Sequence, residues 1–400
     1  TAGLSADLKQ ATLDAARPYC LRIIGPNCLG IAVPGLGLNA NFGINRPSPG
    51  KLALLSQSGA LVTGILDWAA ARDVGFSYVV SMGDMADVDV GDLLDFLAAD
   101  IATGSILLYL ETIPAARKFM SAARSAARAK PVIVIKSGRH KESARAAATH
   151  TGALAGSDAA VGAAFRRAGL VRVDELEELF AAAETLTSLK SVAGNELLIV
   201  TNGGGAGVLA VDDLMRSGGR LAPLAESIVT KLDKVLPANW SRGNPIDIIG
   251  DAKPERYEAA LDAVLADCTA DAILVMNCPT ALASSSDAAQ AVIDAIARAP
   301  RPECLPPVLT NWLGEDAVAG GRLKFREAGI PTYESPTDAV KGFFYLWQYT
   351  KAQEGLMHAP PLETERLRVA DEAARTIMRA AASAGRSLLS EPEAKAVLSA

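Results

Sequence analysis

Leu54-Leu55-Ser56-Gln57-Ser58-Gly59-Ala60-Leu61 is the stretch that decides the fold, because an apolar strand runs through hydroxyl residues and a glycine into a helix. The second half of the chain repeats this design with more glycine, in Ile199-Val200-Thr201-Asn202-Gly203-Gly204-Gly205-Ala206-Gly207-Val208. From Lys51 onward, short apolar runs alternate with helical patterns, which is typical of a parallel sheet with helices on both faces. The sequence therefore predicts an α/β protein built from strand-to-helix units.

Two doubly wound units account for this alternation. In the first, the predicted strands are 52–55, 76–80, 106–110, 132–135 and 170–173, with helices near 60–71, 89–99, 114–129, 158–168 and 174–187. After a linker at 191–195, the second has strands at 197–200, 221–224, 272–276, 308–310 and 332–333. We expect two flavodoxin-like parallel-sheet domains, at 31–190 and 195–354, since 400 residues exceed one ordinary core.

The sequences at both ends of the chain are those expected in a larger multidomain protein. Residues 5–18 form an alanine-rich helical pattern before Leu21-Arg22-Ile23-Ile24, a short strand with no sheet of its own. Residues 355–370 are polar and contain proline, as interdomain linkers do. Ser390-Glu391-Pro392-Glu393 has the pattern of a capping box, and the helix that it opens is cut at Ala400. We expect a fragment of a longer polypeptide.

Composition excludes several classes of function. Charged residues make up 21% of the chain, the formal net charge is −6 and no Lys/Arg run exceeds a pair, so nucleic acid and membranes are not expected partners. Five scattered cysteines without a C-x-x-C pair suggest neither a disulfide framework nor a zinc site. No apolar run approaches the ~20 residues of a membrane span, and Thr1 opens no signal peptide. The sequence predicts a cytoplasmic protein without a metal site.

Both strand-to-helix turns are candidates for binding phosphate. In parallel sheets ligands bind beyond the carboxyl ends of the strands, where helix N-termini present free N–H groups and about half a positive charge. The alternative is that the glycines serve tight packing. Neither turn is a dinucleotide fingerprint, because the third glycine of G-x-G-x-x-G would fall at Val208, and no G-x-x-x-x-G-K-[ST] occurs. The expected phosphate-binding residues are Ser56, Ser58, Gly59, Asn202, Gly203, Gly204 and Gly205.

His150 is the candidate nucleophile. It is one of three histidines and lies in the small-residue run Ala146-Ala147-Ala148-Thr149-His150-Thr151-Gly152, which predicts a loop. An imidazole so presented can act as an uncharged nucleophile near neutral pH; the alternative is an ordinary exposed histidine. Glu111 closes a predicted strand, so its carboxylate lies at the edge of the sheet where the phosphate turns lie. There it could orient the imidazole, or it could be a first-turn helix acid before Pro114.

These motifs, in this order, resemble those of the NDP-forming acyl-CoA synthetases, the succinyl-CoA synthetase superfamily. The resemblance rests on Ile24-Gly25-Pro26-Asn27-Cys28-Leu29-Gly30, Ser56-Gln57-Ser58-Gly59, Gly83-Asp84-Met85-Ala86-Asp87, Tyr109-Leu110-Glu111, Thr149-His150-Thr151-Gly152, the Asn202–Gly207 turn and Gly243-Asn244-Pro245-Ile246-Asp247. It is closest to the long fused ADP-forming acetyl-CoA synthetases, including forms that precede a protein acetyltransferase domain.

The resemblance implies roles for these residues. His150 would be phosphorylated transiently, Glu111 would stabilise it, and two helices that begin at Ser58-Gly59 and Gly204-Gly205 would face the phosphohistidine. Pro26, Asn27 and Cys28 would lie near CoA, at the end of a CoA-binding domain of which 1–30 is the remnant. Residues 355–400 would be a linker and the start of an ATP-grasp domain.

The implied function is an acid–CoA ligase that relays phosphate. CoA displaces phosphate from an acyl phosphate, His150 captures it, and a swinging loop carries it to ADP. The expected cofactors are phosphate in this chain, with CoA and Mg-ATP or ADP in the complete protein. The expected partners are acyl-CoA, a small carboxylic acid, the missing CoA-binding and ATP-grasp domains or a partner subunit, and a second copy in a homodimer. A different hypothesis is a non-catalytic module that senses acyl-CoA or phosphate inside a protein lysine acetyltransferase.

Overall fold

The large unit of the chain holds two parallel sheets. The computed structural model describes residues 6–72, 74–140, 142–143, 157–267, 269–300, 305–357 and 365–399. Contacts divide the chain after Leu356 into this large unit and a C-terminal unit, 357–400.

The first sheet has seven strands among the described residues, in the order β2-β1-β4-β3-β5-β6-β7. They are β1 (Gly30–Val33), β2 (Leu38–Asn41), β3 (Pro49–Ser56), β4 (Phe76–Ser81), β5 (Ser105–Leu110), β6 (Val132–Lys136) and β7 (Val171–Arg172). β4-β3-β5-β6-β7 run parallel, which is the 2-1-3-4-5 order of flavodoxin-type sheets. β1 is antiparallel to β4 and β2 and extends one edge.

Helices cover both faces of this sheet because alternate strand residues point to opposite faces and both sets are apolar. These helices are α2 (Gly59–Ala71), α3 (Val90–Ala99), α4 (Ala116–Ala129), α5 (Asp158–Ala168) and α6 (Leu176–Ser188), whereas α1 (Ala6–Ala16) precedes the sheet along the chain. Leu54 of β3 faces α2 and α6, whereas Leu55 faces α3, α4 and α5. The carboxyl ends of the strands are left open for the connecting turns.

The second sheet repeats this architecture in the order β10-β8-β11-β12-β13, with β9 also paired to β8. Its strands are β8 (Glu196–Thr201), β9 (Arg220–Leu221), β10 (Ile246–Asp247), β11 (Ala272–Asn277), β12 (Val308–Trp312) and β13 (Thr332–Tyr333). Its helices are α7 (Gly204–Arg216), α8 (Glu226–Val235), α9 (Pro254–Leu265), α10 (Ser285–Ala297), α11 (Ala319–Glu327) and α12 (Pro336–Met357). β9 and β10 pair with successive halves of one edge of β8.

A shared apolar core joins the two sheets. Leu54 of the first and Ile199 of the second belong to one buried cluster, together with residues of α2, α6, α7 and α12. Each sheet packs its other face on a core of its own. α12 returns from the second sheet to the first, where the Gln353 side chain donates a hydrogen bond to the Ala127 carbonyl at 2.8 Å. The two sheets are therefore halves of one packed body.

The predicted fold class is confirmed: the chain forms two flavodoxin-like parallel sheets. The strand predicted at 21–24 is wrong. The N–H of Ile23 donates to the carboxylate of Asp87 at 2.8 Å, and its carbonyl accepts from the N–H of Val88, so this segment pairs with a loop. The antiparallel strands β1 and β2 and the short β10 were not predicted, since exposed Leu38-Asn39-Ala40-Asn41 lacks an apolar alternation.

The C-terminal unit contains α13 (Glu365–Ser383) and α14 (Glu391–Ser399). The helix predicted to begin at Ser390 is present, and the Glu393 carboxylate accepts from the Ser390 N–H at 2.8 Å, as a capping box requires. The linker predicted over 355–370 needs correction, because α12 extends to Met357 and α13 begins at Glu365.

Candidate active site at two strand-to-helix turns

The first turn, from β3 to α2, is closed by its own hydroxyl groups. The fully buried Ser56 hydroxyl accepts from the Ser58 N–H at 3.1 Å and donates to the Ser58 carbonyl at 2.9 Å. Ser58 is the N-cap of α2, and its hydroxyl accepts from the Leu61 N–H at 3.4 Å. The Ser56 side chain therefore shapes the turn, and a contact of Ser56 with phosphate stays a prediction.

Gln57 joins this turn to the end of the neighbouring strand β5. Its Oε1 accepts from the N–H groups of Glu111 and Thr112, the latter at 2.9 Å. Its Nε2 donates to the Thr112 hydroxyl at 3.2 Å, and its own N–H donates to the Tyr109 carbonyl at 3.1 Å. Gln57 thus fixes the backbone that carries Glu111, a role that the sequence interpretation missed.

The second turn, from β8 to α7, has the same internal bonds. The Thr201 hydroxyl accepts from the Gly203 N–H at 3.0 Å and donates to the Gly203 carbonyl at 3.1 Å, as Ser56 does with Ser58. The Asn202 amide accepts from the Cys278 N–H at 2.7 Å and donates to the Cys278 carbonyl at 2.9 Å, which ties the turn to the end of β11. Both ends of that amide are engaged, so the Asn202 side chain organises the turn, and a contact of this residue with phosphate stays a prediction.

The helix N-termini remain the anion-attracting part of each turn. Helix geometry leaves the first N–H groups without intrahelical partners, and α2 and α7 each span 13 residues. Gly203 could not carry a side chain, because a Cβ there would lie 2.4 Å from the sulfur of Cys278. Gly205 has open space around the position of a Cβ, whereas a Cβ on Gly204 would lie 3.1 Å from Asp247 Oδ2. The second turn therefore has a carboxylate beside one of its glycines.

The predicted CoA-proximal segment lies against the first turn. The Pro26 carbonyl accepts from the Asp84 N–H at 2.9 Å, and a Cβ on Gly83, whose φ is +55°, would lie 2.1 Å from that carbonyl oxygen. The Asn27 amide donates to Asp84 at 3.3 Å. Burial raises the pKa of the half-buried Cys28 thiol. The structure thus brings Pro26, Asn27 and Cys28 to the loop that follows β4.

The segment reaches Gly59 through Leu29. The Leu29 N–H donates to the Ser81 hydroxyl at 2.9 Å, and a Cβ on Gly59 would lie 3.4 Å from the Leu29 nitrogen. Leu29 therefore packs against the start of α2, at ordinary van der Waals distance from Gly59.

Lys136 is a further charged group at this edge that the sequence interpretation missed. It ends β6 in register with Leu110, one residue before Glu111, and it is buried. Burial lowers the pKa of Lys136, while the nearby carboxylates of Asp158 and Glu111 act in the opposite direction. A charged residue that ends the apolar run Val132-Ile133-Val134-Ile135 was the signal that could have found it.

His150 lies outside the described residues, so its pairing with Glu111 stays a prediction. Glu111 follows β5 directly and is partly buried. Among the residues that the structure places, no cluster of three or more histidine, cysteine or acidic side chains could hold a metal ion. In the same described ranges, no helix has the length and apolarity that crossing a membrane requires.

Comparison with known proteins agrees with this geometry. A model of the succinyl-CoA ligase-like flavodoxin domain matches residues 49–186, and a model of the ligase-CoA domain matches 197–353. The alpha subunit of an ADP-forming acetate–CoA ligase I from Pyrococcus furiosus is 37% identical over 344 residues, which are 86% of this chain and 74% of that subunit. The chain belongs to the NDP-forming acyl-CoA synthetases.

Two further relatives extend the comparison. The ADP-forming acetate–CoA ligase I of Archaeoglobus fulgidus is 38% identical over 346 residues, or 86% of this chain, and the chain spans about half, 49%, of that ligase. The dinucleotide-forming acetyl-coenzyme A synthetase 1 of Ca. Korarchaeum cryptofilum, solved in complex with phosphate and ADP, superposes with a TM-score of 0.83 at 34% identity. The superposition covers 91% of the chain described here and 79% of the Korarchaeum synthetase. The family predicted from the motifs is confirmed.

Proposed function

We propose that this chain is the part of an ADP-forming acid–CoA ligase that relays phosphate through a phosphohistidine at His150. The observation that carries the proposal is the pair of turns with matching hydrogen bonds, each at the carboxyl end of a parallel sheet and each followed by a 13-residue helix. Phosphoryl transfer depends on positioning and on stabilisation of charge, which two helix N-termini supply together.

Each predicted residue has a part in this relay. The N–H groups of Gly59, Gly204 and Gly205, at the starts of the two helices, bind phosphate. Ser56, Ser58, Asn202 and Gly203 hold the turns in shape. Glu111 accepts a hydrogen bond from the His150 imidazole and stabilises its phosphorylated form. Pro26, Asn27 and Cys28 lie against the loop that follows β4, just before Leu29 reaches the first turn, and they receive the thiol end of CoA.

The other components belong to the complete enzyme. CoA, Mg-ATP or ADP and a small carboxylic acid are its substrates, with the nucleotide bound by a further domain or a partner subunit, in a homodimeric cytoplasmic enzyme. The relatives named above are ligases, and they give the acetyltransferase-linked sensor hypothesis no support.

The test is phosphorylation of the complete protein by Mg-ATP, measured by intact mass. One phosphoryl group is expected, labile in acid as a phosphoramidate is, and His150→Ala should abolish it. His140→Ala is the matched control, because His140 is exposed on the same connection between β6 and α5 and should leave the label intact. Unchanged acyl-CoA synthesis by His150→Ala would refute the phosphohistidine.

A further inference from the structure

A cavity of 670 Å³ lies between the two sheet domains, away from the strand-to-helix turns. Its walls come from the start of β3, the end of α2, the length of α6, the end of α11, β13 and the first half of α12. Arg72, in the wall, follows Gly59 by 13 residues, so this part of the cavity lies about 20 Å from the first turn along α2. The volume is within the roughly 300–1,000 Å³ of small-molecule sites.

The lining carries more negative than positive charge. Six carboxylates face three basic side chains. Lys341 is occupied by Glu178, with Nζ and Oε1 2.6 Å apart. Glu177 and Asp338 have no ion-pair partner among the residues that the structure describes. The cavity therefore favours a cationic occupant over an anion.

Glu184 lies in the wall on the α6 side. It is reached by solvent, yet the surrounding protein atoms raise its pKa, and Arg326 only partly offsets this. The neighbouring protein atoms thus disfavour the ionised carboxylate, although the side chain is exposed. An amine beside it would stabilise the charged form.

The Tyr345 hydroxyl is an independent observation at this cavity. Tyr345 is 5% exposed, lines the cavity and has no hydrogen-bond partner for its hydroxyl. Burial raises the pKa of Tyr345, and the charge of Glu178 adds to this, so the hydroxyl stays protonated. Buried polar groups without partners are rare because they cost free energy. A ligand N–H donor would satisfy this oxygen.

The spacing of the acids indicates an elongated molecule. Glu177 and Glu184 are seven residues apart on one face of α6, about 10 Å along the helix axis. Apolar surface from Phe180 and Ile330 lies in the same lining. At one end of the cavity the Arg72 guanidinium lies 4.1 Å from the centre of the Trp68 ring, in a cation–π contact. This wall therefore already stabilises one organic cation, the Arg72 side chain. No metal-binding group of three acids, cysteines or histidines is found in the described part of the chain.

We propose that this cavity binds a linear aliphatic polyamine, with amines paired to Glu177 and Glu184, one N–H donated to the Tyr345 hydroxyl, and methylenes against the apolar wall. Because the walls belong to both domains, the ligand bridges them. The proposal does not depend on the phosphohistidine, and its test needs no phosphoryl transfer.

The test is isothermal titration calorimetry of the whole chain with spermidine at 0.15 M salt, about physiological ionic strength. One site is expected. Octane-1,8-diol, which has similar length and no charge, should not bind. Glu184→Gln should weaken binding about tenfold, whereas Glu327→Gln, at the exposed end of α11 outside the cavity, should not change it.

The Tyr345→Phe variant tests the contribution of the hydroxyl group to binding separately from that of the carboxylates. It should weaken spermidine binding by a few-fold, typical of one hydrogen bond, without lowering the unfolding midpoint, because an unsatisfied group is removed. The absence of spermidine binding, or equal losses with Glu184→Gln and Glu327→Gln, would overturn the proposal. Equal affinities of the wild type and Tyr345→Phe for spermidine would show that the Tyr345 hydroxyl does not contact the ligand. This result would also contradict the proposal.

Discussion

Single amide side chains hold both candidate phosphate turns in place. A primary amide carries an acceptor and a donor, so it can bond both polar groups of an adjacent backbone. Asn202 does this with Cys278, and Gln57 does it across Glu111 and Thr112. In each domain the turn after the first parallel strand is thereby tied to the end of the next strand in the sheet.

Gln57→Leu should destabilise the chain by about 2–4 kcal/mol, because the N–H groups of Glu111 and Thr112 lose their acceptor. Gln57→Glu keeps an acceptor oxygen and should lose less than about half of that free energy. Urea unfolding followed by circular dichroism measures both. Equal losses for the two variants would mean that Gln57 acts through packing alone.

At the scale of secondary-structure elements, the helices α6 and α12 form much of the contact between the two domains. Besides apolar contacts, the Thr185 hydroxyl bonds the Tyr333 hydroxyl, and Glu178 of α6 pairs with Lys341 of α12. The Glu178 carboxylate also accepts from the N–H of Asp174 at 2.8 Å, just before the helix. Burial acts to raise the pKa of Glu178, but Lys341 and the N–H of Asp174 outweigh it, so the pKa lies below 4.5.

The Glu178 pair should make stability depend on pH in a defined direction. A lowered carboxyl pKa stabilises the fold above its ordinary value of 4.5 and loses this effect as pH falls below it. Lys341 has a raised pKa, because Glu178 outweighs burial, so its contribution persists until pH passes 10.5. Glu178→Gln should therefore cost about 1 kcal/mol at pH 7, a modest figure because Lys341 is 36% exposed, and much less at pH 3.

Chemical denaturation at the two pH values checks this, with Glu177→Gln on the same helix as the control. A loss for Glu178→Gln that is the same at pH 3 and pH 7 would show that the ion pair contributes nothing.

At the scale of the whole molecule, we expect the shared core to make the two sheet domains unfold cooperatively. Leu54 and Leu107 of the first sheet and Leu197 and Leu274 of the second belong to one buried cluster. The free energy of folding one sheet therefore includes burial against the other.

Phe325→Ala tests this coupling. Phe325 is fully buried in the core that belongs to the second sheet alone, so its truncation should cost about 3–5 kcal/mol. Pulsed hydrogen exchange at a series of urea concentrations, with peptides analysed by mass spectrometry, gives the unfolding midpoint of each sheet. The midpoints of β3–β6 and β8–β12 should fall by the same amount. A wild-type midpoint for the first sheet would show that the domains unfold independently.

The sequence by itself determined the α/β class, most strands and the family. Buried parallel strands are uninterrupted apolar runs such as Val132-Ile133-Val134-Ile135, and the motifs that follow them have local causes in glycine and hydroxyl chemistry. Membership of the acyl-CoA synthetases followed from the order of those motifs. The pairing of His150 with Glu111 is a prediction that the described residues leave untested.

Only the tertiary structure decided which polar groups organise the turns and what lies between the sheets. Gln57 meets Glu111 across 54 residues, and Asn202 meets Cys278 across 76, so no local pattern reveals that these amides are used internally. Ile23 pairs with a loop because Asp87, 64 residues later, takes its N–H. The walls of the cavity come from both domains. Its charged side chains form one site only because the fold brings α6, α11 and α12 together. Such sites depend on long-range packing, which a linear pattern of residues does not encode locally.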